Sequence, residues 1–325
     1  MTNIRSVRNK SIGIIRKIFE KLKILNLKMY YFECGVLFLN TMLRSSILYA
    51  CETYYHLKET EIRTIERIEE SYMRQLLGTT KGCPISQIYL ELGQSPARYH
   101  IFKMRGLFFK YILHQEEKSM IFQFLKLQLE KPVRGDWAST CLKNLQDLGI
   151  NLSLEEIREM SITRYSELIR IKCNESALRY LLNKRGKKGS KIQYSELEMS
   201  EYLLPNEKFD ISEQKSVFAI RNKMTDIPSN FCSEEKNLSK CTCKTTENME
   251  HIYYCKLLNK DKPELQFEEI FSKNLEKQRI VLSRFEENME KRKEYQILSE
   301  NETNEPNHGI QLDPLSSALL EHSNR

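Results

Sequence analysis

Four side chains with metal-binding chemistry fall within one short window: Cys241, Cys243, His251 and Cys255 read C-x-C-x7-H-x3-C. Thiolate and imidazole are the ligands that zinc takes in closed four-coordinate sites. The H-x3-C spacing puts His251 and Cys255 at i and i+4 on one helical face, and a tight loop opposite would supply Cys241 and Cys243. Four protein ligands leave no open position for water or substrate, so the ion is expected to be structural. The competing reading is four unrelated reduced side chains. Against it stands the concentration of three of the nine cysteines and a histidine in one segment. Cys232 is a spare thiol that could replace one of the four.

Charge is the second chemical feature. The chain carries 51 Lys and Arg against 44 Asp and Glu. Residues 1–30 hold Arg5, Arg8, Lys10, Arg16, Lys17, Lys21, Lys23 and Lys28 against the single Glu20, so the rest of the chain balances. Lys184, Arg185, Lys187, Lys188 and Lys191 form a smaller cluster in LLNKRGKKGSK. Such clusters attract polyanions by releasing counterions condensed on phosphates, independently of base sequence. Lys10, Arg16, Lys17, Lys21 and Lys23 are the expected phosphate contacts, with Lys184, Arg185, Lys187 and Lys188 as a further set. RNA or DNA is the partner this favours; ordinary solvated faces are the alternative. GKKGSK lacks the spacing of a phosphate-cradling loop and reads as a flexible basic loop.

Catalytic patterns are missing. Two-metal phosphoryl transfer needs converging carboxylates, usually including an Asp pair on a tight turn. The six aspartates, Asp136, Asp147, Asp210, Asp226, Asp261 and Asp313, are all isolated, and GxSxG, HExxH and GxGxxG are absent. Cys34, Cys51, Cys83, Cys141 and Cys173 lack histidines at ligand spacing, so burial is their expected role, and His56, His100 and His114 carry no signal.

The elements that must position these groups are mainly α-helical. Gly (11) and Pro (8) are scarce in 325 residues, and apolar positions recur with a period of about 3.6. Tyr30, Tyr31, Cys34, Leu37 and Phe38 form one expected core stripe. Ile62, Ile65, Tyr72, Met73 and Leu76 form another, with Glu59/Arg63 and Glu70/Arg74 paired outside and Gly78 ending the helix. Ile101, Met104, Leu107, Phe108, Tyr111 and Ile112 form a third, within a helical region at 100–130. Trp137 is expected to anchor a helix into the core. Ser153 and Glu156 make a capping box flanked by the Leu152/Ile157 staple; Asp210 and Glu213 repeat the cap, and Pro228 is expected to close that element. A charged helix is expected around RFEENMEKRKEYQIL, followed by a disordered final 25 residues.

The length suggests several units: a basic N-terminal segment with helices at 1–82, a helical linker region at 83–205, a helix with a CCHC-type finger at 206–260, and a charged helix and tail at 261–325. No apolar run approaches the roughly 20 residues of a bilayer-spanning helix, so no membrane partner is expected. The N-terminus lacks the apolar core and cleavage site of a secretory signal, which points to an intracellular, nuclear or cytoplasmic setting where thiols stay reduced.

Two segments also carry a family resemblance. RSSILYACETYYHLKETEIRTIERIEESYMRQLLG, at 44–78, resembles the segment that follows the palm in reverse transcriptases of LINE-like non-LTR retrotransposons. VFAIRNKM and NFCSEEKNLSKCTCKTTENMEHIYYC, within 217–255, are similar to the Cys/His finger that closes many of those polyproteins, with Glu247 and His251 in its pattern. IYLELG at 88–93 is compatible with their helical linker region. The resemblance covers about 28–258 and implies a thumb-like helical part, a linker and a zinc finger that hold RNA or primer-template through backbone contacts. In the family the fingers and palm, with their catalytic aspartates, lie upstream of the block at 44. Here 43 residues precede it, too few for a palm, so no polymerase activity of the chain alone is expected. Nothing after Cys255 resembles the nuclease found in some members.

Two other functions fit the same residues. One is a helical scaffold whose zinc site only staples the fold and whose amphipathic faces bind protein. The other is a non-functional retroelement relic, whose exposed apolar patches would favour aggregation.

Overall fold

The computed structural model describes residues 4–24, 29–53, 58–79, 82–133, 135–184, 192–224, 241, 243, 245, 248–259 and 263–303. These residues are mainly helical. Thirteen α-helical segments run along the described chain: α1 (Ile4–Ile24), α2 (Tyr31–Phe38), α3 (Ser45–Ile47), α4 (Glu59–Leu77), α5 (Ile85–Glu91), α6 (Ala97–Leu113), α7 (Met120–Glu130), α8 (Trp137–Asp147), α9 (Leu154–Glu159), α10 (Ile162–Lys184), α11 (Ile211–Arg221), α12 (Met249–Tyr254) and α13 (Leu275–Thr303). Among the described residues the one pairing of extended backbone is an isolated antiparallel bridge between Leu92 and Met199. No described helix is long and apolar enough to cross a membrane.

Helix ends follow their local chemistry. Gly78 adopts φ 65° and stops α4, with the Thr79 N–H donating to the Arg74 carbonyl at 2.9 Å. Ser153 Oγ accepts from the Glu156 N–H at 3.1 Å while Glu156 accepts from the Ser153 N–H at 2.7 Å, and Ile157 is buried behind them. Asp210 and Glu213 form the same reciprocal pair, both at 2.8 Å. Helix α11 then ends at Arg221, before Pro228: Lys223 turns to φ 54° and the Met224 N–H returns to the Ala219 carbonyl at 2.7 Å. Pro228 itself lies outside the described residues, as do residues 304–325; residues 301–303, the first of the final 25 for which disorder is expected, belong to α13.

Two apolar cores result. The larger draws on α1, α2, α4 and α5, on the first turns of α6, and on α11 to α13. The stripe of α4 is buried as the spacing predicts: Ile62, Ile65, Tyr72, Met73 and Leu76 all face this core, and Glu59 pairs with Arg63 outside at 3.2 Å. Helix α2 keeps part of its expected stripe, since Tyr31, Cys34 and Phe38 pack against the core, but Tyr30 and Leu37 are exposed and the buried positions are Phe32, Gly35 and, just beyond the helix, Leu39. Close approach explains the rotation. A Cβ at Gly35 would stand 2.4 Å from a Leu76 methyl, and the buried Tyr72 hydroxyl donates to the Gly35 carbonyl at 2.6 Å. A π-helical turn, Leu39–Arg44, follows and shifts the phase again, turning Leu43 and Arg44 inward.

The second core lies between α6, α8 and α10. Helix α10 buries Tyr165, Ile169, Cys173, Ala177 and Leu181 at every fourth position. Gly106 of α6 lets it approach, since a Cβ there would meet Ile169 at 2.8 Å. The expected helical region at 100–130 is two helices, and Met104 and Tyr111 point outward, because α6 must turn Arg105, Gly106 and Phe109 toward α8 and α10. Trp137 anchors α8 as expected: it is buried and its indole N–H donates to the Glu52 carbonyl at 2.7 Å. Lys110, fully buried, extends its ammonium to the Ile157 and Met160 carbonyls at the end of α9, where a cation offsets the helix dipole.

Candidate metal centre

The four sequence-selected ligands converge. Their donor atoms all lie within 4.8 Å of one another, and the group could hold a metal ion. Cys241 Sγ is 3.7 Å from Cys255 Sγ, and Cys243 Sγ is 3.3 Å from His251 Nε2. Each pair thus joins one residue of the loop to one from α12 or its end.

Local hydrogen bonds set that geometry. The Cys241 N–H donates to the Thr245 carbonyl at 2.9 Å, closing the turn that brings both loop cysteines to one side. Asn248 caps α12 by accepting from the His251 N–H at 2.7 Å, which fixes the ligand helix at its first turn. Cys255 ends the helix, and its carbonyl accepts from the Leu258 and Asn259 N–H groups at 3.2 and 3.0 Å. Helix α12 is too short to persist alone, and α13 supports it: the buried Asn288 amide donates to the Ile252 and Tyr253 carbonyls at 3.0 and 3.3 Å. Met249, Ile252 and Tyr253 bury the face behind the ligands.

Burial is uneven across the group. Cys241 and Cys255 are buried, while Cys243 and His251 are partly exposed. The Thr245 hydroxyl, hydrogen-bonded to the Cys243 sulfur, holds that thiol below its ordinary range, and the neighbouring Cys241 and Cys255 thiols act the same way. A more acidic thiol is a readier metal ligand. Cys232, the spare ligand, and Glu247 lie outside the described residues.

The other cysteines behave as buried apolar groups. Cys51, Cys83, Cys141 and Cys173 are buried and Cys34 is partly so. Desolvation pushes the Cys51, Cys141 and Cys173 thiols up to about 12 and that of Cys83 to about 11, so none is poised for nucleophilic chemistry.

Of the basic residues, Lys10, Arg16, Lys17, Lys21 and Lys23 all sit on α1 and are all exposed. The helix explains this sorting, since Ser11, Ile15, Ile18 and Leu22 occupy the opposite face and are buried, the three apolar ones in the larger core. Among the described residues no acidic side chain forms an ion pair with any of the five. Lys184 ends α10 with its ammonium 4.3 Å from the centre of the Tyr180 ring. Arg185, Lys187, Lys188 and Lys191 lie outside the described residues.

Sequence reasoning missed the polar site around Arg44. Arg44, 4% exposed, donates to Glu69 at 2.7 Å, to Asn40 at 2.6 Å, to Gln94 at 2.9 Å and to the Ser95 carbonyl at 2.7 Å. It borders an open cleft of about 400 Å³, lined also by His100, whose Nε2 lies 3.0 Å from Ser95 Oγ. Apart from Asn40, four residues back, its partners are 25 to 51 residues away in sequence, beyond any local pattern. With its charge matched by Glu69 and its donors engaged, Arg44 ties the π-helical turn after α2, α4 and the 93–95 turn together. No family model, curated protein or solved structure matches the chain.

Proposed function

We propose that the chain is a nucleic-acid-binding protein, stapled near its C-terminal end by zinc, that holds RNA or DNA without polymerising it. The observation that carries the reading is the face of α1: five exposed cations without acidic partners among the described residues, on a helix whose other side is locked into the core. Cations already paired in the protein have little to offer a phosphate; these five are available. The resemblance of 44–78 and 217–255 to the thumb and finger of LINE-like reverse transcriptases agrees with a strand-holding role.

Zinc suits the Cys/His group by its separations. Zn–S bonds of about 2.3 Å and Zn–N bonds of about 2.0 Å at tetrahedral angles set S···S near 3.8 Å and S···N near 3.5 Å. The 3.7 and 3.3 Å separations come within a few tenths of an ångström of these, and the group as a whole, spread over at most 4.8 Å, would draw in around the ion. Three thiolates favour zinc over harder ions that prefer oxygen.

The test is binding of RNA and DNA by the zinc-loaded chain across a salt series, beside a charge-matched control protein. Changing Lys10, Arg16, Lys17, Lys21 and Lys23 together to Glu is expected to weaken binding and flatten its salt dependence. Unchanged affinity would remove α1 from the interface and with it the main support for the reading.

The scaffold reading has one observation in its favour. Met104 and Tyr111 of α6 and Met120, Phe124 and Leu127 of α7 are exposed, beside an apolar groove lined by Phe108, Ile121 and Trp137. Binding no stronger than the charge-matched control would favour it.

A further inference from the structure

The five cations of α1 are not spread evenly over its solvent face. Successive residues of a helix are about 100° apart, so Lys10, Lys17 and Lys21 fall in one row along one flank. Arg16 and Lys23, seven residues apart, fall in a second row along the other flank. Between the rows runs a crest formed by Asn9, Gly13, Glu20 and Ile24, all exposed and none of them basic. At Gly13 the crest is low: nothing stands within 4 Å of where a Cβ would be.

A single strand laid along the helix would place its phosphates over the crest, against Glu20 and away from at least one row. Two rows of phosphate, one on each side, match the arrangement better. A helix with its side chains is about 10–12 Å across, and the major groove of B-form DNA is about 12 Å wide with a phosphate backbone on each rim. The major groove of A-form RNA is deep and too narrow to admit a helix. In the B-form groove Glu20 would point away from the phosphates and toward base edges, where a carboxylate can accept from cytosine N4.

We infer that α1 docks in the major groove of duplex DNA, with Lys10, Lys17 and Lys21 on one backbone and Arg16 and Lys23 on the other. This rests on the nucleic-acid reading above and narrows it to B-form duplex.

The experiment uses the full zinc-loaded chain and one base sequence in four forms: DNA duplex, RNA duplex and each single strand, titrated over a salt series. The DNA duplex is expected to bind roughly tenfold or more tightly than the RNA duplex, because the RNA can meet one row at most. On DNA, Lys10→Gln/Lys17→Gln/Lys21→Gln is expected to reduce the slope of log K against log salt by about 2.7, and Arg16→Gln/Lys23→Gln by about 1.8, at about 0.9 per phosphate. Methylation of guanine N7, which lines the major groove, should be suppressed under the wild-type protein; this readout needs no variant. Equal or tighter binding to RNA duplex or single strands, unprotected N7, or a slope that responds to one row alone would overturn the groove assignment and leave the broader reading standing. No binding of any form above a charge-matched control would remove both.

Discussion

Burial, more than the nearby charges of Arg44 and Lys103, pushes the His100 imidazole down to about 3. An unfolded histidine titrates near 6.5. Between those values the unfolded chain takes a proton that the folded chain refuses, so this group favours folding fully above about 6.5 and loses that contribution as pH falls toward 3. The expected outcome is a melting temperature that declines from pH 7 to pH 4 more steeply in the wild type than in His100→Gln, which has no proton to take. Parallel curves would mean that the cleft accepts the imidazolium without cost. His100 carries no sequence signal, because what lowers it is the Arg44 cleft, assembled from the π-helical turn after α2, the 93–95 turn, α6 and α10. The Cys/His group was legible for the opposite reason: C-x-C and H-x3-C are local spacings, and one turn and one short helix realise them.

At the scale of elements, the turn after α5 tests how tightly the helices are joined. Gly93 has φ 62°, and a Cβ there would stand 2.4 Å from the backbone carbon of Glu198 and the backbone nitrogen of Met199. That contact lies beside the Leu92–Met199 bridge and the 2.8 Å bond from the Ser200 N–H to the Glu91 carbonyl. Gly149 has a similar φ of 76° with nothing within 4 Å. Gly149→Ala therefore meets conformational strain alone, about 1–2 kcal/mol, whereas Gly93→Ala adds overpacking against immovable backbone and is expected to cost about 2–5 kcal/mol. Equal losses in denaturant melts would show that the 198–200 segment yields. Caps were readable from sequence wherever both partners lie within three residues, as at Ser153/Glu156 and Asp210/Glu213. Helix faces were readable for α4 and in part for α2 and α6: Tyr31, Cys34 and Phe38, and Ile101, Leu107, Phe108 and Ile112, pack as expected, while Gly35 and Gly106 admit a neighbouring helix and turn the buried side away from Tyr30, Leu37, Met104 and Tyr111. An apolar stripe shows that a helix has a core face; which of two stripes wins depends on a partner far along the chain.

At the scale of the molecule, the larger core gathers residues from Ile15 to Ile101 and again from Leu181 to Phe285, while the second is built within 99–177. The metal group sits at the edge of the first: α12 rests on α13, whose Val281, Leu282 and Phe285 are buried in that core. Metal binding stabilises only the state that presents all four ligands, so its removal is felt first where those ligands are held. Chelation of the zinc-loaded chain is expected to speed amide exchange in 249–258 and in α13 around Asn288, whose amide caps α12. The α6, α8 and α10 core should keep its protection, because neither α12 nor α13 contributes to it. Cys241→Ser/Cys243→Ser, without chelator, should give the same exchange pattern. Loss of protection throughout both cores would make the metal a requirement for the whole fold, and no change anywhere would make the Cys/His group a cluster of thiols and imidazole that holds no ion.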